Sequence, residues 1–210
     1  NNALFIGKKN EIYRYNEQTG NFDLYYQLPG KNLEIFCMHL DKGYLWMGTT
    51  SDGVYRLNLA DKELTHPIQK GNITSIYQDS EGELWIGSWE EGLHHVKADG
   101  EIEVFEYDAK NPYSISSNFV RACCEDNLGN IWIGTFNGLN RYDKSTGLFQ
   151  NHAASDAQSD GLTHSSIWCI VKDNQGTLWL GTYFGGVNYF NPEYEIYTRY
   201  TYSSIEKKGL

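Results

Sequence analysis

The residues of this chain best suited to chemistry are aromatic rings set beside carboxylates and amides. They sit in short loops, Trp89-Glu90-Glu91, Phe136-Asn137 and Tyr183-Phe184-Gly185, with Thr50-Ser51-Asp52 in the corresponding place of an earlier unit. The apolar face of a pyranose packs on a ring while its hydroxyls bond to neighbouring polar groups, so this pairing suits a neutral sugar. Trp89, Phe136 and Tyr183 occupy equivalent repeat positions, and packing between units is the competing account; Phe184 and Glu90 fall outside that position and favour a ligand. Arg121 and Trp168 share another position with Phe36 and Thr74. No residue type is common there, so packing does not dictate it, and the two side chains form either a ligand-facing lining or a merely solvated one.

Other chemistries have weaker support. His94 and His95 are neighbours whose side chains point to opposite faces of a strand, a poor arrangement for holding one ion, and no other histidine has ligand spacing, so no metal is expected. Cys37, Cys123, Cys124 and Cys169 form no C-x-x-C pair and are expected to be buried free thiols. There is no G-x-S-x-G elbow, H-E-x-x-H or glycine-rich phosphate loop, so no catalytic residue and no cofactor is expected. Asp41, Asp79, Asp126 and Asp173 recur, yet each lies in a hairpin and has its own turn to satisfy.

These side chains are carried on a repeat. Ile131-Trp132-Ile133-Gly134-Thr135 has near-copies at Leu45-Trp46-Met47-Gly48-Thr49, Leu84-Trp85-Ile86-Gly87-Ser88 and Leu178-Trp179-Leu180-Gly181-Thr182, and a weaker one at Leu4-Phe5-Ile6-Gly7. The period is roughly 40 to 47 residues. Trp and Gly face one side of the strand and the aliphatic pair the other, so both faces are buried between layers. A glycine at the same place in every copy predicts close approach of a neighbouring sheet.

Before this strand comes another, Ile35 to Asp41, Ile73 to Asp79, Val120 to Asp126 and Ile167 to Asp173, with Cys37, Ser75, Ala122 or Cys169 at a position that suits a crowded innermost strand. A tight hairpin joins the two. Third strands begin at Gly53, Gly92, Gly138 and Gly186, and a more polar fourth near Phe22, Leu64, Ile102, Phe149 and Ile196. The reading is all-β: a β-propeller fragment of four-stranded antiparallel blades, four complete and a partial first, at approximately 3–30, 33–68, 72–108, 118–152 and 165–201. In such blades the second-to-third loops and the fourth-to-first linkers open on one face.

Sixteen Tyr and 21 Gly against four Pro agree with many short strands and tight turns, and 40% hydrophobic residues can fill a core. A net charge of −10 argues against nucleic acid or an anionic membrane as partner, and weakly against polyanions. No apolar run approaches the roughly 20 residues that span a bilayer, and Asn1 opens neither a charged nor an apolar leader, so targeting and anchoring are expected outside this chain.

The pattern D-x-x-G-x-[LI]-W-[ILM]-G-[TS], followed by G-[LV]-x-R-[YL]-[DN] and T-G-x-F, resembles the two-component regulator propeller repeat of periplasmic sensor regions in hybrid two-component proteins of polysaccharide-degrading gut bacteria. It covers nearly the whole chain. Glu125 to Phe149 and Lys172 to Phe190 fit best, the latter with Tyr189 where Arg is usual and without T-G; His94-His95 makes the third unit the most divergent. The resemblance implies two successive seven-bladed propellers, a small β-sandwich, a membrane helix and a histidine kinase. A glycan fragment bound outside would induce genes for its use.

The expected function is therefore a periplasmic, ligand-binding sensor segment without enzymatic activity of its own. Its ligand is expected to be an oligosaccharide, met by Trp89, Glu90, Arg121, Phe136, Asn137, Trp168, Tyr183 and Phe184. Two alternatives stay open. A glycan-active hydrolase or lyase needs converging acids or a His-Tyr pair, and a protein-interaction propeller needs a broad apolar patch. The first unit starts at Leu4 in its second strand, and Thr201 to Leu210 has no pattern to complete it. The exposed blade faces are expected to be covered by further blades or by a second copy.

Overall fold

The computed structural model of the chain describes residues 3–30, 32–154 and 161–201. Most of the stretch from Thr201 to Leu210 lies outside them. The chain divides into two compact units, Asn1–Ile76 and Tyr77–Leu210, with the boundary inside one strand. Strands are the only regular structure among the described residues.

Unit 1 holds a three-stranded sheet, β1 (Phe5–Lys8), β2 (Glu11–Asn16) and β3 (Asn21–Gln27), and a four-stranded sheet, β4 (Ile35–Asp41), β5 (Tyr44–Thr49), β6 (Val54–Asn58) and β7 (Leu64–Ile68). The boundary strand, β8 (Ile73–Gln78), belongs to a sheet with β9 (Leu84–Ser88), β10 (Leu93–Val96) and β11 (Ile102–Phe105). Unit 2 adds β12 (Val120–Glu125), β13 (Ile131–Thr135), β14 (Gly138–Asp143) and β15 (Leu148–His152), then β16 (Ile167–Lys172), β17 (Leu178–Thr182), β18 (Val187–Asn191) and β19 (Ile196–Tyr200). Each sheet runs in sequence order, which makes the chain a β-propeller fragment of four four-stranded blades and a three-stranded first.

The core lies between blades. In unit 2, Trp85 and Leu93 of one blade pack against Ile131 and Ile133 of the next, and Trp132 and Leu139 of that blade pack against Leu178 and Leu180. In unit 1, Ile12 meets Leu45 and Met47. The second strand thus turns its indole toward the following blade and its aliphatic pair toward the preceding one. Trp85 and Trp132 are fully buried, and removing about 150–250 Å² of ring from water stabilises by roughly 4–6 kcal/mol each.

The repeated glycine sits at the closest approach. A Cβ on Gly134 would stand 2.7 Å from Ile167 Cγ2 of the next blade, and one on Gly48 2.5 Å from Ile73 Cγ2. The small residue opposite the glycine within its sheet belongs to the same contact: Cys37 pairs with Gly48, Ala122 with Gly134 and Cys169 with Gly181. All four cysteines are free. Cys123 and Cys124 are buried as expected, whereas by residue accessibility Cys37 is half-buried and Cys169 is exposed. Burial pushes the Cys37 thiol up to about 12.

The hairpin aspartates hold more than their turns. Asp126 Oδ1 accepts from the amides of Leu128 (2.8 Å) and Asn130 (2.9 Å), and Oδ2 accepts from Trp132 Nε1 at 2.7 Å. Asp79 and Asp173 repeat this with Trp85 and Trp179, each at 2.9 Å. The shortened hairpin at Asp41 turns instead through Lys42 and Gly43, both at positive φ, the backbone of a two-residue primed turn. There Trp46 takes the Arg56 guanidinium over its ring, 5.4 Å from the centroid.

The glycine contact predicts that Gly134→Ala costs about 1–3 kcal/mol, measured by urea unfolding. Combined with Ile167→Ala, which deletes the opposing methyl, the two costs should fall short of additivity by at least about 0.5 kcal/mol. Strict additivity would show that the contact is not what fixes the glycine.

Asp79 supplies a pH prediction. Burial alone would raise its carboxyl, but bonds from the Trp85 indole, the Lys144 ammonium and the Glu83 amide outweigh that and hold it below 3.8. A depressed carboxyl contributes stability that is present above its unfolded value and is lost as pH falls through its folded one. Asp79→Asn should therefore be less stable than the parent near neutrality and lose stability less steeply below about pH 4. Parallel curves of unfolding midpoint against pH would contradict this.

Candidate functional site

The aromatic loop residues and the variable first-strand residues come together in unit 2. What positions the latter is a β-bulge. Val120 pairs with Thr135 and Ala122 with Gly134, which leaves Arg121 as the extra residue; Ile167 with Thr182 and Cys169 with Gly181 leave out Trp168 in the same way. A bulged residue is released from the pleat and its side chain is re-aimed, which explains why this position follows no packing rule. In unit 1 the same bulge falls on Phe36, which is 63% exposed.

The last residue of each second strand pins the loop that follows. Thr135 Oγ1 donates to Gly138 O (3.0 Å) and accepts from Asn137 N (3.1 Å), while Thr182 does the same with Gly186 O (2.9 Å) and Gly185 N (3.0 Å). Ser88 repeats it with Gly92 O and Glu91 N, both at 2.8 Å. Buried asparagines of the third strands fasten the incoming linkers. Asn140 Oδ1 accepts from Ser116 N at 2.8 Å, and Asn188 bonds Thr163 N at 3.0 Å and Thr163 Oγ1 at 2.8 Å. Phe136 N and Tyr183 N donate to Phe119 O and Ser166 O, each at 3.0 Å. The loops are thus tied down on both sides.

On this frame the side chains form one continuous row across three blades. Phe136 lies 6.0 Å from Phe119 between ring centroids, and Phe119 meets Trp89 edge-on at 5.5 Å. The Arg121 guanidinium carbon sits 4.1 Å from the Trp89 ring and 3.6 Å from the Trp168 ring. Trp168 stacks on Tyr183 at 5.6 Å, and Tyr183 meets Phe184 at 4.2 Å. Exposure is high at both ends of the row: Phe136 is 56% exposed, Phe119 and Trp89 are half-buried, and from there exposure climbs to 43% for Trp168, 51% for Tyr183 and 81% for Phe184.

Of the residues singled out from sequence, Trp89, Arg121, Phe136, Trp168, Tyr183 and Phe184 are members of this row. Glu90 is exposed beside it, and Asn137 donates its amide to Ser116 O at 3.4 Å, tying the loop to the linker. Phe119 was not singled out: it precedes its strand in a linker whose counterparts carry no aromatic signal. Nor does spacing reveal that Arg121 lies against two indoles.

The electrostatics centre on that arginine. Burial pulls its pKa below the usual guanidinium range. Each cation–π contact stabilises by about 0.5–2 kcal/mol, whereas Nε, buried and without an acceptor among the described residues, costs about 1–3 kcal/mol. No carboxylate among the described residues pairs with Arg121, although acidic side chains are abundant elsewhere. Asp79, Glu81 and Glu83 cluster closely enough to interest a cation. They already hold the protein's own groups: Lys144 Nζ lies 3.0 Å from Asp79 and 2.6 Å from Glu81, and His95 Nε2 lies 2.7 Å from Glu83. His95 also stacks on Trp85 at 3.9 Å, covering the indole as Arg56 covers Trp46.

Residues 67–90, 114–137 and 161–184 match the sequence profile of the two component regulator propeller family. No curated protein matches the chain significantly. Among solved structures, virginiamycin B lyase from Staphylococcus aureus, a catalytically inactive form with quinupristin, is 17% identical over 92% of this chain and 64% of that one, with a TM-score of 0.70. PorZ, a surface component of the type-IX secretion system of Porphyromonas gingivalis, is 13% identical over 98% of this chain and 33% of its own, with a TM-score of 0.71. An extracellular domain from B. thetaiotaomicron, described as that of a one component system, is 18% identical over 95% of this chain at a TM-score of 0.48, and the chain spans 34% of its length. At such identities the likeness is one of fold. The chain is a β-propeller segment, and its residues 67–90, 114–137 and 161–184 are similar to the repeat of the two component regulator propeller family.

Proposed function

We propose that this chain is part of the extracytoplasmic sensor region of a two-component signalling protein and that it binds an oligosaccharide on the row from Phe136 to Phe184. The observation that carries the reading is the row itself. Contiguous rings open to solvent at Phe136 and at Trp168, Tyr183 and Phe184, carried on fastened loops and a strand bulge, form a preorganised stacking surface for successive sugar rings. The repeat family supports the sensor role. No helix among the described residues is long and apolar enough to cross a membrane, so on this reading the signal passes to other parts of the protein.

Catalysis is the weaker reading. The recurring Asp79, Asp126 and Asp173 spend their oxygens on hairpin amides and indoles, which leaves them unsuited to serve as an acid pair.

Calorimetric titration of the chain against plant and host oligosaccharides tests the proposal. For a sugar that binds, Phe184→Ala and Tyr183→Ala should each weaken affinity about fivefold, the equivalent of one stacked ring, with the unfolding temperature unchanged because both side chains are largely exposed. Absence of binding across the panel, or affinities indifferent to both substitutions, would remove the proposed surface.

A further inference from the structure

We infer that the sugar recognised on this row carries a carboxylate, as a uronic acid does, and that the in-plane edge of the Arg121 guanidinium receives it. The inference rests on the oligosaccharide reading and narrows it. The guanidinium carbon lies 4.1 and 3.6 Å from the centroids of two indoles, so rings occupy its flanks and a partner meets its N–H edge. That edge is a rigid fork of N–H donors whose geometry matches a carboxylate bidentately. In this protein it is unspent, because Nε has no acceptor and no carboxylate among the described residues pairs with the residue; Nε is itself buried, so the terminal Nη groups are the ones a partner reaches. Scarcity is not the reason. The chain has 27 acidic side chains against 17 basic ones, and both Lys97 and Lys144 bond two carboxylates each.

Arg56, the other arginine set over an indole, spends its Nε on Thr65 Oγ1 at 3.2 Å, whereas Arg121 Nε has no acceptor among the described residues. Arg121 instead stands on a bulge that takes it out of the sheet, next to the exposed rings of Trp168 and Tyr183. A sugar stacked on those rings brings its substituents alongside the clamp. The rings also fix the fork in advance, so little side-chain freedom is lost when an acceptor arrives. The net charge of −10 repels polyanions at a distance, which favours a ligand with a single carboxylate over a densely charged chain.

The test compares a disaccharide ending in glucuronic acid with the matched disaccharide ending in glucose, titrated calorimetrically into the full chain. The uronate should bind at least about tenfold more tightly, and the preference should shrink as salt is raised. Arg121→Gln should abolish the preference, weakening the uronate at least about tenfold more than it weakens the neutral disaccharide; Arg121→Lys, which keeps the charge but not the fork, should retain only part of the preference. Equal affinity of the parent for both sugars overturns the inference while the oligosaccharide reading stands, whereas no binding of either sugar or of the wider panel removes both. A preference undiminished in Arg121→Gln also overturns it. If that variant does not fold, an undiminished preference in Arg121→Lys does the same, and a preference reduced several-fold supports the fork. A 6-sulfated glucose terminus bound as tightly as the uronate would overturn the assignment to a carboxylate.

Discussion

The carboxylates of Asp79, Asp126 and Asp173 each tie three things at once: the two amides that close a hairpin and the indole six residues further on. Without that bond the buried indole N–H of Trp85 or Trp132 would lack a partner in a dry interface, at a cost of about 1–3 kcal/mol. With it, the ring is held in one orientation, pointing toward the next blade. Everything outside depends on this orientation, since the following blade packs its aliphatic pair on that ring. One polar contact therefore sets hairpin, strand and inter-blade spacing together.

The glycine two residues beyond the indole sets the closeness of the next blade. Ile167 enters the space that a side chain on Gly134 would fill, and the small residue opposite keeps that space open from within the sheet. Close-packed layers then fix where the bulged residues and the loop tips fall. Three blades of unit 2 must stack at this spacing before Trp89, Arg121 and Trp168, one from each, can touch. The row is thus a property of the stack and not of any single repeat.

Charge is handled differently inside the scaffold and at the row. Lys144 neutralises buried Asp79 and exposed Glu81 across a blade boundary, and buried Glu125 accepts from Ser80 N and Oγ at 2.7 Å each, so acids at the hairpin end are matched by donors. Arg121, by contrast, lies against two aromatic rings and has no carboxylate partner among the described residues. Rings stabilise a cation without consuming its hydrogen bonds, which leaves donor capacity where a carboxylate would have spent it.

The amino-acid sequence by itself determined the strands, their order and the repeat. Alternation between Trp/Gly and Leu/Ile requires two buried faces, and Asp and Gly at fixed places require hairpins whatever lies around them; such local rules act within one unit. It also made Arg121 and Trp168 visible as a position that packing does not dictate, and Phe184 as an aromatic outside the repeat. What only the tertiary structure decided is which residues of different blades meet. The rings around Arg121 and the membership of Phe119 depend on bulges and on inter-blade distance. Those are set by the packing of residues some 30 to 50 positions apart, a separation over which periodicity carries no information.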